Sequence, residues 1–268
     1  MQAVVLIPAF DRTEMLMHCL DHLARCPEVR NVTIRVCIDR RAGHAPLNEF
    51  AAIQEWNKDL DVELRFTGPH MHHGNSFNVL TSLRHAYADS EFDLFYVVED
   101  DVLVSPEFFT WHERIQRDVR PAASIGVRNP GHGAYASLGA CLPRVTVEAI
   151  LEHAVLAYFR DMRGYCRFAF PPSPFDCEQD GLIARVLAGR KVAWANPPIV
   201  SHVGWYGYHR KNNKRPDGRL EERYHQVREA LADPVLLTAL AGGRPDVVLS
   251  GETNHGVCTL STVPGGAA

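Results

Sequence analysis

Along the first hundred residues, apolar segments alternate with segments of helical spacing. The apolar segments are rich in β-branched and aromatic side chains, which is typical of strands; they are residues 3–7, 31–38, 62–66 and 92–98. The helical segments are residues 13–24, 46–56 and 78–88. Asp11 or Thr13 is available to cap the first helix. This alternation predicts an α/β fold with a mostly parallel central sheet flanked by helices.

The second half of the chain has a less regular pattern. Its predicted elements are a Gly-rich loop, a helix, a second helix after a Pro-rich break, and a strand, at residues 126–139, 145–158, 175–189 and 192–200. The Gly-rich segment 256–268 is expected to be a poorly ordered tail. The predicted organisation is a single domain with diffuse internal boundaries, in three parts: residues 1–110, 111–225 and 226–268.

Three adjacent carboxylates follow the most apolar strand. Residues 92–98 contain almost no polar side chain, which predicts a strand buried on both faces, and Glu99, Asp100 and Asp101 come directly after it. Ligands of open α/β sheets bind at the carboxyl ends of strands, and adjacent acids repel one another unless a cation or donors offset their charge. Hard cations such as Mg2+ or Mn2+ suit these oxygens. The alternative is a solvated acidic loop.

A second acidic group lies at the start of the helix predicted within residues 175–189. Asp176, Glu178 and Asp180 fall within five residues. Carboxylates in a first turn are stabilised by the helix dipole without any function, which is one interpretation. The other is a general base, because transfer of a group to a hydroxyl needs a carboxylate that accepts the proton. The spacing leaves the choice among the three acids open, and Glu178 or Gln179 is also able to bind hydroxyl groups.

A third group begins with His202, just past the last predicted strand. A histidine in this position is able to complete a metal site, although a histidine without function is equally compatible with the pattern. A basic segment follows, containing Arg210, Lys211, Lys214, Arg215 and Arg219. As a mobile loop it would close over a diphosphate; the alternative is a solvated charged loop. The neighbouring aromatic residues, which would stack on a sugar or pack the loop, are Trp205, Tyr206 and Tyr208.

Composition narrows the classes of function. The formal charge of −4 and the isoelectric point near 6.4 exclude a global attraction to nucleic acid or to anionic membranes. Seven cysteines without a C-x-x-C pair are expected to be reduced and mostly buried. The apolar start is too short for a signal peptide or a membrane span, so we expect a soluble, cytoplasmic protein without a membrane anchor.

Three segments together resemble a known family. They are IPAFDRTEMLMHCLDHL at residues 7–23, VCIDRRAGH at residues 36–44 and VVEDDVLVSPEFF at residues 97–109. These segments are similar to the nucleotide-sugar domain of GT-A glycosyltransferases. Among these enzymes, the closest motif is that of the Golgi N-acetylglucosaminyltransferase that begins hybrid and complex N-glycans. The resemblance is strong through about residue 110 and patchy afterwards, which suggests a bacterial or viral relative with its own acceptor.

The resemblance implies a role for individual residues. Arg12 would contact the diphosphate, Asp39 would bind the uracil of a uridine diphosphate (UDP) sugar, and Pro8, Ala9 and Phe10 would line that pocket. Asp101 would be the direct metal ligand, with His202 as a ligand in other members. Glu99 and Asp100 would hold ribose, sugar or metal-bound water. His73 would contact the base, and Arg210 and Lys211 would belong to the loop that closes on the donor. Asp180 would be the catalytic base, with Glu178 as the alternative because the usual acidic pair is interrupted by Gln179.

The expected function is therefore a metal-dependent, inverting glycosyltransferase that moves a hexosyl or N-acetylhexosaminyl group from a UDP-sugar to a hydroxyl. The acceptor is a glycan, a small molecule or a hydroxymethylated base in DNA, since the basic and aromatic residues 206–219 are able to follow a phosphate backbone. Two other classes remain open. Clustered acids also serve metal-dependent phosphohydrolases and nucleases, and the chain is also compatible with a catalytically silent nucleotide-sugar binding module.

Overall fold

A computed structural model describes residues 1–39, 46–67, 74–89, 91–127, 135–170, 176–204 and 214–231, together with the backbone of residues 246–250 and 261–263. Its elements fall into a parallel first half and a mixed second half. In the first half the strands are β1 (Ala3–Ala9), β2 (Val32–Asp39), β3 (Val62–Thr67) and β4 (Leu94–Val97). The helices are α1 (Thr13–Leu23), α2 (Leu47–Trp56) and α3 (Gly74–Ala88), with a 3-10 turn at Pro27–Asn31.

The second half contributes shorter elements. Its strands are β5 (Val102–Val104), β6 (Ala123–Ile125), β7 (Ala140–Pro143), β8 (Val192–Asn196), β9 (Val200–His202), β10 (Asp246–Ser250) and β11 (Ser261–Val263). Its helices are α4 (Phe108–Asp118), α5 (Arg144–His153), α6 (Leu156–Arg160), α7 (Met162–Ala169), α8 (Gln179–Leu187) and α9 (Leu220–Leu231).

The described strands form one large sheet and one small sheet. The large sheet has the order β11-β10-β8-β6-β7-β4-β1-β2-β3, in which β7 and β10 run opposite to the other strands. The small sheet is the antiparallel pair of β5 and β9. The prediction of an α/β fold with a mostly parallel sheet is therefore confirmed.

The core lies on both faces of the sheet. Alternate residues of a strand point to opposite faces, so that Val5 and Ile7 of β1 belong to one apolar cluster, and Val4 and Leu6 belong to the other. Helices α1 and α4 cover the first face, and α3, α5 and α8 cover the second. The predicted burial of β4 on both faces is confirmed, because all of its residues are buried.

Several predicted boundaries are wrong for identifiable reasons. Asn31 belongs to the 3-10 turn rather than to β2, and Arg12 occupies the cap position of α1 without a side-chain capping bond. The helix predicted over residues 145–158 ends at His153, and α6 follows as a separate turn. The strand predicted over residues 192–200 is two strands, since Pro197 has no N–H group to continue the ladder.

The C-terminal region contains strands rather than only a tail. Backbone pairing places β10 beside β8 and β11 beside β10 at one end of the sheet. Residues 261–263, which the sequence pattern assigned to a poorly ordered tail, therefore form an edge strand. The division of the chain into three parts stays a prediction.

Two expectations from composition concern cysteines and membrane insertion. Six of the seven cysteines lie among the described residues, and all six are free thiols, five of them buried. Among the described helices, none combines the length and the apolar character that are needed to cross a membrane.

Candidate functional site

The candidate site lies where β1, β2 and β4 end. These strands are parallel neighbours, so that their carboxyl ends meet at one edge of the sheet. The chain leaves β1 toward Arg12, β2 ends at Asp39, and β4 leads into the acidic triplet. This convergence is the usual position of a ligand site in an open α/β sheet.

Arg12 joins the first strand to the acidic triplet. Its guanidinium pairs with the carboxylates of Asp100 and Asp101, which are 3% and 2% exposed. Burial alone would lower the pKa of Arg12, but the two carboxylates raise it above its usual value. Arg12 therefore stays charged and offsets part of the repulsion between the acids.

Glu99, Asp101 and His202 form a group that is able to hold a metal ion. One ligand atom from each residue lies within 4.8 Å of the others. The pairing of β5 with β9 places Val102 opposite His202, so that the histidine reaches the preceding aspartate. The Nε2 atom of His202 lies 3.2 Å from Oδ2 of Asp101.

A buried oxygen atom of this group supports the binding of a divalent cation. Oδ1 of Asp101 is buried and has no hydrogen-bond partner among the described residues. A buried carboxylate oxygen in this state costs free energy, which a bound cation would offset. Two carboxylates and an imidazole form a mixed oxygen and nitrogen donor set, which suits Mn2+ better than Mg2+.

The two aspartates differ in their ionisation. Burial raises the pKa of Asp100 to about 7, although Arg12 opposes this shift. Burial would also raise the pKa of Asp101, but the hydrogen bond with His202 and the charge of Arg12 outweigh it and lower the pKa. Asp101 is consequently the better ligand of the two at neutral pH.

Gly204 allows the backbone to pass close to this group. A Cβ atom at this position would lie 2.9 Å from Oδ2 of Asp101 and 3.0 Å from Nε2 of His202. Only a glycine leaves these two ligand atoms unobstructed.

Asp180 of α8 lies close enough to Glu99 for the two carboxylates to repel each other. Ser137 donates a hydrogen bond of 2.8 Å to Oε1 of Glu99, and its polar groups lie near enough to Asp180 to oppose a rise in the pKa of that carboxyl. Burial and the charge of Glu99 raise the pKa of Asp180 to about 7. Oδ1 of Asp180 is buried without a hydrogen-bond partner in the described part of the chain. The carboxylate is thus able to accept a proton near neutral pH.

The other polar residues at the start of α8 have different surroundings. Glu178 is exposed and occupies the cap position of α8, and its backbone N–H donates to Asp176. Gln179 is buried and accepts a hydrogen bond of 2.7 Å from Ser76 of α3. The burial that perturbs Asp180 is therefore absent at Glu178.

The expected nucleotide pocket lies at the end of β1 and β2. Pro8 and Ala9 belong to β1, Phe10 follows them half-buried, and Asp39 at the end of β2 is 8% exposed. The side-chain amide of Asn78 on α3 donates a hydrogen bond of 2.8 Å to the carbonyl of Cys37, which attaches α3 to this edge of the sheet.

Part of the predicted site lies outside the described residues. This applies to His73 and to the loop residues Arg210 and Lys211, whose roles stay predictions. The neighbouring aromatic residues outside the described ranges are Trp205, Tyr206 and Tyr208.

The described end of the basic segment is held in place by ion pairs. Arg215 hydrogen-bonds Glu14 and the carbonyl of Asp11, and Arg219 pairs with Glu222. Both guanidinium groups have acidic partners, and the expectation of a mobile basic loop stays a prediction.

Sequence reasoning did not single out Tyr135, Ser137 and Ser76. All three carry ordinary hydroxyl groups without a spacing that marks a motif. The Gly-rich loop that contains two of them was the available signal.

Comparisons with known proteins bear on the fold. No family model and no curated protein sequence matches the chain. Solved structures do match. One is the mannosyltransferase PcManGT from Pyrobaculum calidifontis in complex with GDP-Man and Mn2+, with a TM-score of 0.53, 15% identity, and coverage of 90% of this chain and 73% of that chain. Another is S. aureus TarS 1-349 in complex with UDP-GlcNAc, with a TM-score of 0.52, 13% identity, and coverage of 90% and 71%.

A shorter match illustrates the limits of the likeness. Against another structure of S. aureus TarS 1-349 the TM-score is 0.44 at 11% identity, over 55% of this chain, and the chain spans about half the length of that protein, 48%. At such identities the likeness concerns the fold. The chain has the GT-A fold of nucleotide-sugar glycosyltransferases, as the sequence resemblance implied.

Proposed function

We propose that this protein is a metal-dependent glycosyltransferase that moves a sugar from a UDP-sugar to a hydroxyl acceptor. The observation that carries the proposal is the group of Glu99, Asp101 and His202 at the carboxyl end of β4, in a GT-A fold. Mn2+ is the preferred cation, because the donor set contains an imidazole beside two carboxylates, and Mg2+ is the alternative.

The nucleotide would bind across the ends of the first two strands. Asp39 would accept hydrogen bonds from the N–H of uracil, and Pro8, Ala9 and Phe10 would pack against the base. Arg12 would bind the diphosphate, since its guanidinium already lies beside the acidic triplet. Asp100 would hold Arg12 in this orientation.

The metal group would hold the leaving diphosphate. Glu99, Asp101 and His202 would bind the cation through one ligand atom each. A divalent cation there supplies Lewis-acid stabilisation of the charge that develops on the diphosphate. Arg12 would add a second positive charge on the same side.

Asp180 would be the general base of an inverting reaction. Its unpartnered oxygen and its pKa of about 7 suit a group that takes a proton from an acceptor hydroxyl at neutral pH. Glu178 is the second choice, because its exposed carboxylate lacks this burial.

The proposal also includes a class of sugar donor and a class of acceptor. The motif likeness to the Golgi N-acetylglucosaminyltransferase and the UDP-GlcNAc bound to TarS support an N-acetylhexosamine as the first donor to test. The GDP-Man complex of PcManGT makes GDP-mannose the control. The acceptor offers a hydroxyl, whether on a glycan, a small molecule or a modified DNA base. A cytoplasmic location stays part of the proposal.

A thermal-shift comparison tests this function. UDP, GDP, UDP-sugars and GDP-mannose are each added with Mn2+, with Mg2+ or with chelator. A ligand that binds the native state raises the melting temperature, so we expect stabilisation by UDP and its sugars in the presence of metal only. Asp101→Asn should abolish this shift, whereas Asp118→Asn, an exposed aspartate on α4, should retain it.

Two results would contradict the proposal. One is the absence of a shift with every nucleotide and metal. The other is rapid release of phosphate from the nucleotide without an acceptor, which would indicate a phosphohydrolase.

A further inference from the structure

Tyr135 buries a hydroxyl group that has no partner among the described residues. The side chain is 6% exposed and packs in the apolar cluster that includes Leu182 of α8. Buried tyrosine hydroxyls almost always form a hydrogen bond, because an unpaired one has lost its hydration without compensation. A group of this kind, placed next to a functional site, indicates a ligand that supplies the missing partner.

The surroundings of Tyr135 are polar on one side. Ser137, two residues later, donates a hydrogen bond to Glu99, so the segment that carries the tyrosine is fixed against a carboxylate of the metal group. Burial and the negative charges of Asp180 and Glu99 raise the pKa of Tyr135 well above its usual value. The hydroxyl therefore keeps its proton and is a hydrogen-bond donor.

Tyr135 and Ser137 differ in whether the hydroxyl proton already forms a hydrogen bond. The single proton of the Ser137 hydroxyl is used on Oε1 of Glu99. Glu99 and Asp180 offer acceptors when they are ionised. Tyr135 is consequently the side chain in this small group whose donor remains available to a ligand.

The position of this donor relates it to the transferred group. Glu99 belongs to the metal group on one side and contacts Ser137 on the other. A sugar attached to a diphosphate held at the metal group would therefore lie near Glu99, and both Tyr135 and Asp180 lie close enough to Glu99 to be affected by its charge.

We propose that Tyr135 donates a hydrogen bond to an oxygen of the transferred sugar and thereby contributes to donor specificity. This inference rests on the proposed function. The oxygen is that of a hydroxyl or of an acetamido carbonyl, both of which accept a hydrogen bond. A sugar that lacks an oxygen there leaves the tyrosine hydroxyl unpaired and is discriminated against.

Tyr135→Phe tests the inference, because it removes the hydroxyl and keeps the ring. The matched control is Tyr96→Phe, since Tyr96 also buries its hydroxyl but packs against Phe108 and Phe109 in the other cluster. Dissociation constants are measured by calorimetry with Mn2+ for UDP and for UDP-glucose, UDP-galactose and UDP-GlcNAc. We expect Tyr135→Phe to bind UDP as the wild type does and its best UDP-sugar about three- to tenfold more weakly.

The outcomes distinguish this inference from the function on which it rests. If Tyr135→Phe weakens UDP and UDP-sugar equally, or weakens neither, the inference is overturned and the function stands. A higher melting temperature of the free variant with unchanged selectivity would show that the hydroxyl is only an unpaired group. If the wild type binds no UDP with Mn2+, both fail. The Tyr96→Phe variant should match the wild type for every ligand.

Discussion

Asp180 combines a functional position with a cost in stability. Its carboxylate lies close enough to Glu99 for the two charges to repel, and one of its oxygens is buried without a partner in the described part of the chain. Burial of a charge without full compensation disfavours the folded state. Sites that perform proton transfer commonly carry such groups, because the same burial that destabilises the fold also raises the pKa.

Asp180→Asn should therefore stabilise the metal-free protein in a pH-dependent manner. Burial raises the pKa of Asp180 from its usual 3.8 to about 7, so between these values the folded protein binds a proton that the unfolded chain has lost. The wild type loses stability as the pH rises through this range. Above this range the loss stays constant. The advantage of Asp180→Asn should grow from pH 4 to pH 7 to about 1 to 4 kcal/mol and then level off in urea denaturation.

Glu178→Gln is the matched control for this measurement. Its carboxylate is exposed two residues earlier, so water already hydrates the charge and the variant should show no such trend. An advantage of Asp180→Asn that does not depend on pH would contradict the perturbed carboxylate.

Site residues were predictable from the sequence where they directly follow a predicted strand. The acidic triplet, Asp39 and Arg12 directly follow apolar runs, so their place at the sheet edge was predictable. The role of Asp180 as the base was implied by the family resemblance, and its proximity to Glu99 was not derivable from spacing. Tyr135 and Ser137 were not predicted individually, because a hydroxyl residue in a loop has no periodic pattern.

At the scale of elements, α9 is attached to α1 through buried charges. Glu14 is fully buried and pairs with Arg223 of α9 at 3.2 Å and with Arg215 at 3.1 Å. Arg223 also pairs with Glu49 of α2 at 2.6 Å. The network joins α1, α2 and α9. Through Arg215 it also includes the described segment directly before α9.

Arg223→Ala should destabilise the fold by about 3 kcal/mol, because it leaves buried Glu14 with fewer compensating donors. The control is Arg219→Ala, directly before α9. Its side chain is 89% exposed in a pair with Glu222, and exposed pairs of this kind contribute little to stability. Equal effects of the two variants in urea denaturation would contradict the role assigned to the network.

The junction of α4, β7 and β9 requires a glycine. Gly139 has a φ of +67°, and a Cβ there would lie 2.7 Å from Cγ1 of Val200 and 3.1 Å from Phe108. Gly139→Ala should cost about 1 to 3 kcal/mol, from the backbone conformation and from overpacking. Val200→Ala in the same chain removes the closest contact, so the double variant should lose less stability than the two single losses added. Strict additivity would contradict this packing.

Elements were predictable where local patterning decides them. The first four strands and three helices follow from periodicity, because each buries one face or both faces against neighbours close in sequence. The predicted ends of α5 and β8 were wrong. Pro197, which ends β8, is a local signal, whereas the spacing of apolar residues does not mark the end of α5 at His153.

At the scale of the whole molecule, the parallel half of the sheet was predictable and the mixed half was not. The βαβ rhythm dictates parallel neighbours for β1 to β4. The reversed strands β7 and β10 and the separate pair of β5 and β9 join segments that are far apart in the chain, and no local pattern encodes such pairings. The metal group depends on one of them, because β9 delivers His202.

The metal group is the central claim, and Mn2+ binding followed by electron paramagnetic resonance tests it most directly. Free Mn2+ gives a strong signal that weakens when the ion is bound. The wild type should take up Mn2+, and UDP should increase the uptake. Asp101→Asn should lose most of this binding, and so should Gly204→Ala, whose Cβ would crowd two ligand atoms. Uptake that is unchanged in both variants, or absent from the wild type with UDP, would contradict the account.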